Sequence, residues 1–341
     1  MIIKNNKVLF YSSVKNLESF ETQKFYQIDI ELMRNLGYHV QVTNQVLAFF
    51  CFWNYNISFI YFYRKGLLVA IISRFFGKNV YFTGGIDDLN KNTTTYKNYI
   101  KQKIFFKLCN LFSNRSILVS LSDQDNVKDI YSGKLPKNID LSFHTINLEL
   151  FYVNDLSTKE CIFTTIVWME SIENVKRKGV DKALFVFKQL TEKDPYFDSK
   201  FFVIGKEGIG TEYLRGLCNE LNISKKVIFT GSIDEKLKIH YLKKSKYYFQ
   251  LSTFEGFGIA ALEALASKNI VIHSAKGGLK ESMKNYGLIL DINESIVEQM
   301  DNFYDQLSNF NIDKLSAAYD DIYSCYSNIS RQKYFEGILK N

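Results

Sequence analysis

Short apolar runs alternate with amphipathic runs along almost the whole of this 341-residue chain. The apolar runs have the length and the β-branched and aromatic content of buried strands, and the amphipathic runs have helical spacing. Strands that alternate with helices favour a parallel sheet covered by helices on both faces. In the first half, strands are predicted over residues 7–11, 40–43, 57–62, 80–83 and 116–120, and helices over residues 22–36, 67–76 and 96–112.

The same alternation starts again after about residue 155. The length is comfortable for two domains. We therefore expect an α/β protein with two doubly wound domains that face each other across a cleft, formed by residues 1–150 and 151–320. In the second half, strands are predicted over residues 161–167, 201–204, 227–230, 247–251 and 270–273, helices over residues 181–190, 211–221 and 234–245, and a basic loop over residues 172–179.

The cysteines and histidines argue against a metal site. The five cysteines have no CxxC spacing and the four histidines do not cluster, so neither zinc nor a disulfide framework is expected. The most apolar window, residues 46–63, is interrupted by Asn54, Asn56 and Ser58, and predicts buried strands rather than a membrane span. No signal peptide is visible at the start, so a cytoplasmic location is expected.

The net charge of +7 is concentrated in the first half. From Arg64 to Arg115, ten basic residues face only Asp87 and Asp88. This excess is either a solvated basic face or a surface that attracts a polyanion, namely lipid headgroups, a diphosphate-bearing acceptor or nucleic acid.

The predicted helix over residues 96–112 carries part of this charge. Its helical spacing predicts an apolar side formed by Ile100, Ile104, Leu108 and Leu111, and a basic side formed by lysines 97, 101, 103 and 107. Two interpretations stay open: the apolar stripe is buried on the sheet, or the helix lies against anionic lipid.

The stretch FEGFGIAALEALA, residues 254–266, follows the predicted strand 247–251. In open α/β sheets, ligands bind at the carboxyl ends of the strands. The helix that begins near Gly258 presents free N–H groups and a positive dipole end, which suit a phosphate. Glu255 and Glu263 flank this anion site, and carboxylates are good acceptors for sugar hydroxyls. Hydroxyls, then phosphates, then hydroxyls is the order found in a nucleoside-diphosphate sugar.

Residues 228–281 resemble the nucleotide-binding core of GT4-type retaining glycosyltransferases of GT-B fold, the glycosyl transferases group 1. The resemblance rests on the S-x-x-E-G-F-G-x-x-x-x-E-A-x-A pattern and the following Gly277-Gly278 turn with Glu281. It implies that Glu255 contacts the donor hexose at the catalytic centre and that Glu263 holds the ribose. It also implies that the backbone of Gly256, Phe257 and Gly258 meets the diphosphate.

A second match, KRKGVDKAL at residues 176–184, resembles the segment in which this family grips the diphosphate. It implies a catalytic role for Lys178 and donor binding by Arg177. Gly205 and Gly231, which end two predicted strands, are further donor-binding candidates. In the first half, Gly84, Gly85 and Asp87 are the acceptor-side candidates.

The resemblance implies metal-independent, retaining transfer of a hexosyl or related sugar, with no cofactor. The implied acceptor is a glycan or a polyprenyl-diphosphate-linked sugar in surface polysaccharide or glycoconjugate assembly. An anionic membrane surface, with the protein peripheral on its inner face, is the implied further partner, and nucleic acid is not. A C-terminal helix, about residues 320–341, is expected to pack on the first domain.

The chain departs from the family pattern at three places. It reads Trp168-Met169-Glu170 where the family has Gly-Arg, it has no histidine within residues 83–88, and residues 266–270 lack the usual Gly and Pro. Alternatives therefore stay open: another GT-B enzyme such as a nucleotide-sugar epimerase or a phosphorylase, or a non-catalytic sugar-nucleotide-binding protein. A dinucleotide dehydrogenase is disfavoured because no G-x-G-x-x-G follows the first strand of either half.

Overall fold

The computed structural model describes residues 6–91 and 94–340, apart from the side chain of Asp87. The chain forms two compact units, an N-terminal unit of Met1–Ile146 with Tyr326–Asn341, and a C-terminal unit of Asn147–Cys325. Each unit contains a six-stranded parallel sheet with helices between the strands. The prediction of two doubly wound α/β domains is confirmed by the sheet and helices of each unit.

The sheet of the N-terminal unit has the strand order β2-β1-β3-β4-β5-β6, and all the pairs are parallel. Its strands are β1 Lys7–Ser12, β2 His39–Thr43, β3 Ile57–Tyr61, β4 Asn79–Thr83, β5 Arg115–Leu118 and β6 Ile139–Leu141. Its helices within Met1–Ile146 are α1 Ser19–Thr22, α2 Lys24–Asn35, α3 Tyr63–Phe75, α4 Tyr96–Leu111 and α5 Leu121–Ile130.

The sheet of the C-terminal unit has the strand order β12-β11-β10-β7-β8-β9, again all parallel. Its strands are β7 Glu160–Ile166, β8 Lys200–Ile204, β9 Val227–Gly231, β10 Ser245–Gln250, β11 Ile270–His273 and β12 Leu288–Ile289. Its helices are α6 Ile172–Arg177, α7 Val180–Leu190, α8 Ile209–Glu220, α9 Glu235–Lys244, α10 Ile259–Ala266, α11 Leu279–Met283, α12 Ile296–Ser308 and α13 Asp313–Tyr326, whose last residue belongs to the N-terminal unit.

The direction in which strands are added reverses between β7 and β10. From β7 the chain adds β8 and β9 on one side, and then returns to place β10 on the other side of β7. Loops that leave the two strands at such a reversal diverge to opposite faces and leave a crevice at the carboxyl edge. The loop after β10 is the predicted ligand loop, so the topology places it at this crevice.

Two predictions from the sequence are wrong. Residues 46–54 form 3₁₀ helices, Val46–Phe50 and Phe52–Asn54, rather than a buried strand, and both Leu47 and Trp53 are exposed. The basic stretch 172–179 is not a loop over its whole length, because Ile172–Arg177 is α6. The Ser171 hydroxyl accepts a hydrogen bond from the backbone N–H of Asn174, an N-cap that stabilises this short helix.

The predicted separation of an apolar side and a basic side on α4 is also wrong. Its buried face is formed by Tyr99, Phe106 and Cys109, and the ring of Phe106 lies 4.6 Å from that of Tyr63. The predicted apolar side is largely exposed, with Leu111 74% exposed. Lysines 97, 101 and 107 are exposed on the same face of the helix instead of on the opposite one. Bulky side chains lie on both sides of α4, and the larger aromatic set packs on the core.

The C-terminal helix α14, Asn328–Leu339, is part of the N-terminal unit. Phe335 packs in the core of that unit, and the hydroxyl groups of Tyr38 and Tyr81 donate hydrogen bonds to the carbonyl groups of Leu339 and Ile338. These contacts join residues about 250–300 positions apart in the sequence.

A buried ion pair fixes α14. Arg331 donates two hydrogen bonds of 2.6 and 2.7 Å to the carboxylate of Asp29, and both side chains are almost fully buried. Arg331 also donates to the carbonyl groups of Ser142 and Phe143, and Tyr61 donates to Asp29. The pair therefore has the additional hydrogen bonds that a desolvated arginine and carboxylate need.

Removing one member of this pair should destabilise the N-terminal unit strongly. We expect Arg331→Met to lower its free energy of unfolding by about 3–5 kcal/mol, because Asp29 is left as an unpaired buried charge. The double variant Asp29→Leu/Arg331→Met should recover much of the loss. The control Arg34→Met removes an exposed arginine from α2 and should change stability by less than about 0.5 kcal/mol. Hydrogen exchange of the β1 and β3 amides measures these differences, and equal effects of Arg331→Met and Arg34→Met would contradict the account.

Candidate functional site

The centre of the site is the loop that joins β10 to α10. Gly258 is the N-cap of α10 and has a left-handed backbone with φ of 86°. The helix is rich in alanine and leucine, and residues 261–266 are buried, so the core fixes the direction of its axis. The first turn of any helix leaves backbone N–H groups without intrahelical partners. The start of α10 therefore supplies N–H donors and a positive dipole end beside Glu255 and Gly256.

The Gly277-Gly278 turn packs against the backbone of this loop and stabilises it. The backbone N–H of Gly278 donates a 2.7 Å hydrogen bond to the carbonyl of Glu255. A Cβ atom at Gly277 would lie 2.3 Å from that carbonyl oxygen, and one at Gly278 would lie 2.3 Å from the carbonyl oxygen of Gly256. Only glycine allows the two backbone segments to approach this closely.

A third segment, the end of α6, is tied to the same loop. The carbonyl of Arg177 accepts a 2.8 Å hydrogen bond from the backbone N–H of Thr253. Gly179 has a left-handed backbone, and a Cβ atom there would lie 1.9 Å from the carbonyl oxygen of Leu251. This contact holds Lys178, between Arg177 and Gly179, next to the loop after β10.

Lys178 and Glu255 form an ion pair. The Lys178 ammonium donates hydrogen bonds of 2.8 and 2.6 Å to the two carboxylate oxygens of Glu255. Both side chains are partly exposed, at 21% and 15%, so the pair stays accessible from solvent. The two residues predicted at the catalytic centre are thus in direct contact, although 77 positions separate them in the sequence.

A polar network on β10 orients Glu255. The amide nitrogen of Gln250 and the hydroxyl of Ser252 both donate hydrogen bonds to Oε2 of Glu255, at 3.3 and 3.1 Å. The Tyr248 hydroxyl donates to the Gln250 amide oxygen, which turns the amide nitrogen toward Glu255. Burial, only partly opposed by a hydrogen bond from the backbone N–H of Ile166, raises the pKa of Tyr248 well above its usual value, so this hydroxyl remains protonated.

Glu263 forms a second ion pair, deeper in the protein. Its side chain is 5% exposed, and its two carboxylate oxygens accept hydrogen bonds of 2.9 and 2.8 Å from the ammonium of Lys238 in α9. Lys238 is also 3.2 Å from the carboxylate of Glu235. The two predicted glutamates of the motif therefore each have a lysine as partner.

The other predicted donor-side residues lie at the same sheet or beside it. Gly205 follows β8 and Gly231 ends β9, and the backbone N–H of Gly205 donates to the carbonyl of Gly231. Arg177 is exposed and its guanidinium donates to the side chain of Asn174. The side chain of Phe257 is buried, so this residue offers mainly its backbone to a ligand.

The predicted acceptor-side residues lie in the N-terminal unit. Gly84 directly follows β4 and has φ of 110°, and Gly85 lines a cavity of about 310 Å³. Asp87 begins a 3₁₀ helix, Asp87–Leu89, and its side chain lies outside the described residues.

Four residues of the site were missed in the sequence: Tyr248, Gln250, Ser252 and Lys238. The first three recur with a period of two, so they share one face of β10 and its extension, and a glutamine at the end of an otherwise apolar strand was the available signal. Lys238 gave no local signal, because its pairing with Glu263 joins two different helices.

The described residues form neither a cluster suited to a metal ion nor a helix able to span a membrane. Within residues 6–91 and 94–340, no group of three or more His, Cys, Asp or Glu residues is placed to hold a metal ion. In the same part of the chain, every helix is too short or too polar to cross a bilayer.

Residues 171–310 match the family model described as Glycosyl transferases group 1. The matched range lies wholly within the C-terminal unit and contains Lys178, Lys238, Glu255 and Glu263. The resemblance stated from residues 228–281 therefore extends over most of that unit.

Two curated proteins have sequences similar to that of this chain. A Methanocaldococcus jannaschii protein described as an uncharacterized glycosyltransferase is 26% identical over 182 residues, which cover 52% of this chain and 42% of that protein. The second, from Campylobacter jejuni, is the N-acetylgalactosamine-N,N'-diacetylbacillosaminyl-diphospho-undecaprenol 4-alpha-N-acetylgalactosaminyltransferase. It is 25% identical over 237 residues, which cover 66% of this chain and 60% of that protein. The chain thus spans less than two thirds of the length of either relative.

Among solved structures, the chain is similar to HepE of Anabaena in complex with UDP and glucose. The TM-score is 0.73 at 14% identity, and the likeness covers 98% of this chain and 99% of that chain. A likeness at this identity establishes the fold, and it confirms the expected GT-B fold.

Because of the close backbone contact at Gly179, we expect alanine to destabilise the protein there, but not at a glycine with open space around it. Gly179→Ala places a Cβ atom against the Leu251 carbonyl in a left-handed conformation, so we expect a loss of more than about 2 kcal/mol of stability. Gly216→Ala, in the exposed interior of α8 with no atom within 4 Å of the new Cβ, should instead gain about 0.5–1 kcal/mol. Urea denaturation measures both, and a neutral Gly179→Ala would show that this contact does not position Lys178.

Proposed function

We propose that this protein is a glycosyltransferase that takes a sugar from a nucleoside-diphosphate sugar bound in the C-terminal unit. The observation that carries the proposal is the convergence of Lys178, Glu255 and the start of α10 at the carboxyl edge of the sheet. The family match over residues 171–310 supports it, as does the similarity to two proteins described as glycosyltransferases.

The start of α10 is the proposed diphosphate site. Its N–H groups are fixed by the packing of Gly277-Gly278 behind the loop, so they need no reorganisation as negative charge grows on the leaving group. Lys178 is the proposed mobile cation of the site. An ammonium has three N–H donors, and moving one or more of them from Glu255 to a phosphate oxygen releases carboxylate lone pairs for hydroxyl groups of the donor sugar.

The proposed chemistry is retaining and metal-independent transfer. The acceptor hydroxyl oxygen bonds to the anomeric carbon on the face that the leaving phosphate vacates. The bond between that carbon and the β-phosphate oxygen breaks, and the acceptor proton passes to this oxygen, so a nucleoside diphosphate departs. Helix N–H groups and Lys178 supply the positive charge that this departure requires. Glu255 orients the sugar and is not assigned as a nucleophile.

The proposed acceptor binds in the N-terminal unit. The cavity of about 310 Å³ lies at the carboxyl ends of β3 and β4 and is lined by apolar side chains, among them Phe62 and Phe106, and by the polar side chains of Arg64, Asp88 and Gln102. Such a lining suits a sugar that carries a phosphate group, because the guanidinium can pair with the phosphate while the carboxylate and the amide bind sugar hydroxyls. The Campylobacter relative is described as acting on a diphospho-undecaprenol-linked sugar, which favours a lipid-linked glycan as the acceptor class.

A lipid-linked acceptor requires access to a membrane, and we assign this role to the exposed surface of α3 and α4, here called the α3–α4 face. Phe75 is 84% exposed, and Leu68 and Leu111 are also exposed on it. Lysines 97, 101 and 107 are interleaved with the apolar side chains of α4. Apolar groups that insert among headgroups, combined with cations that attract anionic lipid, are typical of interfacial helices. The proposed location is therefore cytoplasmic and peripheral on the inner face of the membrane.

The transfer reaction is tested with Glu255→Gln. Glutamine keeps the size of the side chain and removes the charge that pairs with Lys178, so turnover of the sugar nucleotide should fall on the order of 10²-fold. UDP-, GDP- and ADP-sugars are screened by thermal shift, and turnover is measured as release of the nucleoside diphosphate. Glu220→Gln, an exposed change on α8, is the control and should keep full turnover. Full turnover in Glu255→Gln would contradict the proposal, and conversion of the donor to its epimer would favour an epimerase.

The membrane assignment is tested with vesicles of equal parts phosphatidylcholine and phosphatidylglycerol. Lys101→Glu/Lys107→Glu should weaken vesicle binding at least tenfold, since each basic group near the surface contributes about 1 kcal/mol. Lys200→Glu/Lys225→Glu makes the same charge change at exposed positions of the C-terminal unit and should bind like the unmodified protein. Phe75→Ser removes an exposed aromatic side chain from the α3–α4 face and so tests the contribution of apolar groups to vesicle binding. Equal losses in the two double variants, or no vesicle binding by the unmodified protein, would refute the assignment.

A further inference from the structure

We infer that Phe62 is the aromatic platform on which the sugar ring of the acceptor stacks, and that a strained backbone holds it in that position. This inference rests on the proposed function, in which the acceptor binds in the N-terminal unit, and it names the group that recognises the acceptor sugar. Phe62 lies between β3 and α3, outside the segments that form the donor site.

The backbone of Phe62 has a conformation that bulky residues rarely adopt. Its φ is 69° and its ψ is 130°, outside the small left-handed region that is open to residues with a Cβ atom. Glycine adopts positive φ at no steric cost, whereas any larger residue is strained there. A phenylalanine where glycine would fit better points to a role for the ring itself.

The elements on both sides of Phe62 fix this turn. Tyr61 ends β3 and Tyr63 begins α3, and both side chains are buried. The ring of Tyr63 stacks on that of Phe82, with 5.2 Å between the ring centroids. The backbone N–H of Phe62 donates a 3.0 Å hydrogen bond to the carbonyl of Thr83, the last residue of β4. A strained turn between a strand and a helix projects its side chain at the carboxyl edge of the sheet.

The surroundings of the Phe62 ring hold it and leave part of it open. Its centroid lies 5.8 Å from the ring of Tyr61 and 6.4 Å from that of Phe25, and both pairs are T-shaped. A Cβ atom at Gly84 would lie only 3.0 Å from Cδ1 of Phe62, so the glycine makes room for the ring. Phe62 is nevertheless 37% exposed, and it lines the cavity of about 310 Å³.

The cavity beside the ring has the groups that a pyranose requires. A pyranose has C–H groups on its faces and hydroxyl groups around its rim, and the negative face of an aromatic ring attracts such C–H groups. Arg64, Asp88 and Gln102 line the same cavity. The Gln102 amide donates a 2.8 Å hydrogen bond to the Asp88 carboxylate, which orients this acceptor for hydroxyl groups. One aromatic face with a few polar groups is typical of a site that fixes the orientation of a small ligand.

The experiment replaces the ring by leucine. Phe62→Leu keeps a bulky apolar side chain and the same backbone strain, so it removes mainly the aromatic face. The acceptor probes are N-acetylglucosamine and N-acetylgalactosamine linked to farnesyl diphosphate, and the donor is the nucleoside-diphosphate sugar that thermal shift selects. Release of the nucleoside diphosphate is measured with and without each probe.

With the better probe, Phe62→Leu should raise the KM for the acceptor about tenfold. The KM for the donor and the hydrolysis of the donor without acceptor should not change. Phe62→Tyr and Phe62→Trp keep an aromatic face and should stay within about threefold of the unmodified protein. Phe197→Leu makes the same exchange at an exposed position of the C-terminal unit and should leave both KM values unchanged. If Phe62→Leu does not fold, Phe62→Gly, which relieves the strain, should show the same rise.

Two further measurements separate stacking from structural support. In proton NMR of the methyl glycosides of the same two sugars, the protons on one pyranose face should shift upfield with the unmodified protein and not with Phe62→Leu. Phe62→Gly and Phe62→Ala both lack the ring, but only alanine keeps the strain. The glycine variant should therefore melt higher than the alanine variant by roughly 2–6 °C.

The outcomes distinguish this inference from the proposed function. If neither probe accelerates release and neither glycoside shifts, or if Phe62→Leu keeps the acceptor KM and the upfield shifts, the inference is overturned. The proposed function then still stands on turnover of the donor and its loss in Glu255→Gln. Equal melting of Phe62→Gly and Phe62→Ala would refute the role of backbone strain. If no nucleoside-diphosphate sugar is bound or turned over, the proposed function fails together with the inference.

Discussion

The site depends on backbone contacts that only glycine allows. Gly277 and Gly278 bring one turn against the carbonyl groups of Glu255 and Gly256, and Gly179 brings the end of α6 against Leu251. Three segments that are far apart in the sequence are thereby held at the reversal of strand order between β7 and β10. Side chains larger than hydrogen at these positions would separate the segments, and the contact of Lys178 with Glu255 would be lost.

Two lysine–glutamate pairs of different burial result from this arrangement. The pair of Lys178 and Glu255 is partly exposed, and the side chains of Gln250 and Ser252 donate hydrogen bonds to Glu255, so the pair is oriented and still accessible from solvent. The pair of Lys238 and Glu263 is more deeply buried, which makes it suited to a fixed role. One region of the sheet edge thus combines a partly exposed ion pair with a more deeply buried one.

Short sequence patterns predicted the elements whose structure is decided by residues that are close together in the sequence. The glycine-flanked start of α10 and strand β11 follow from helix formers and apolar runs, and β11 has the bounds that the sequence predicted. The prediction for α6 was wrong because a polar, basic stretch has no apolar periodicity, and only the Ser171 cap marks its start. For α4, apolar side chains occur on both sides of the helix, and the packing of Phe106 on Tyr63 decides which side is buried. The pairing of Lys238 with Glu263 could not be predicted locally, because it depends on how two helices pack.

The start of α10 is the proposed binding site for the diphosphate of the donor. Hydrogen exchange of the backbone amides, compared with and without saturating UDP or GDP, tests it most directly. We predict that the bound nucleotide slows exchange at residues 256–261, at the loop and first turn of α10, more than at any other helix start of the C-terminal unit. Slowed exchange confined to other segments, with these amides unchanged while the nucleotide is bound, would contradict it.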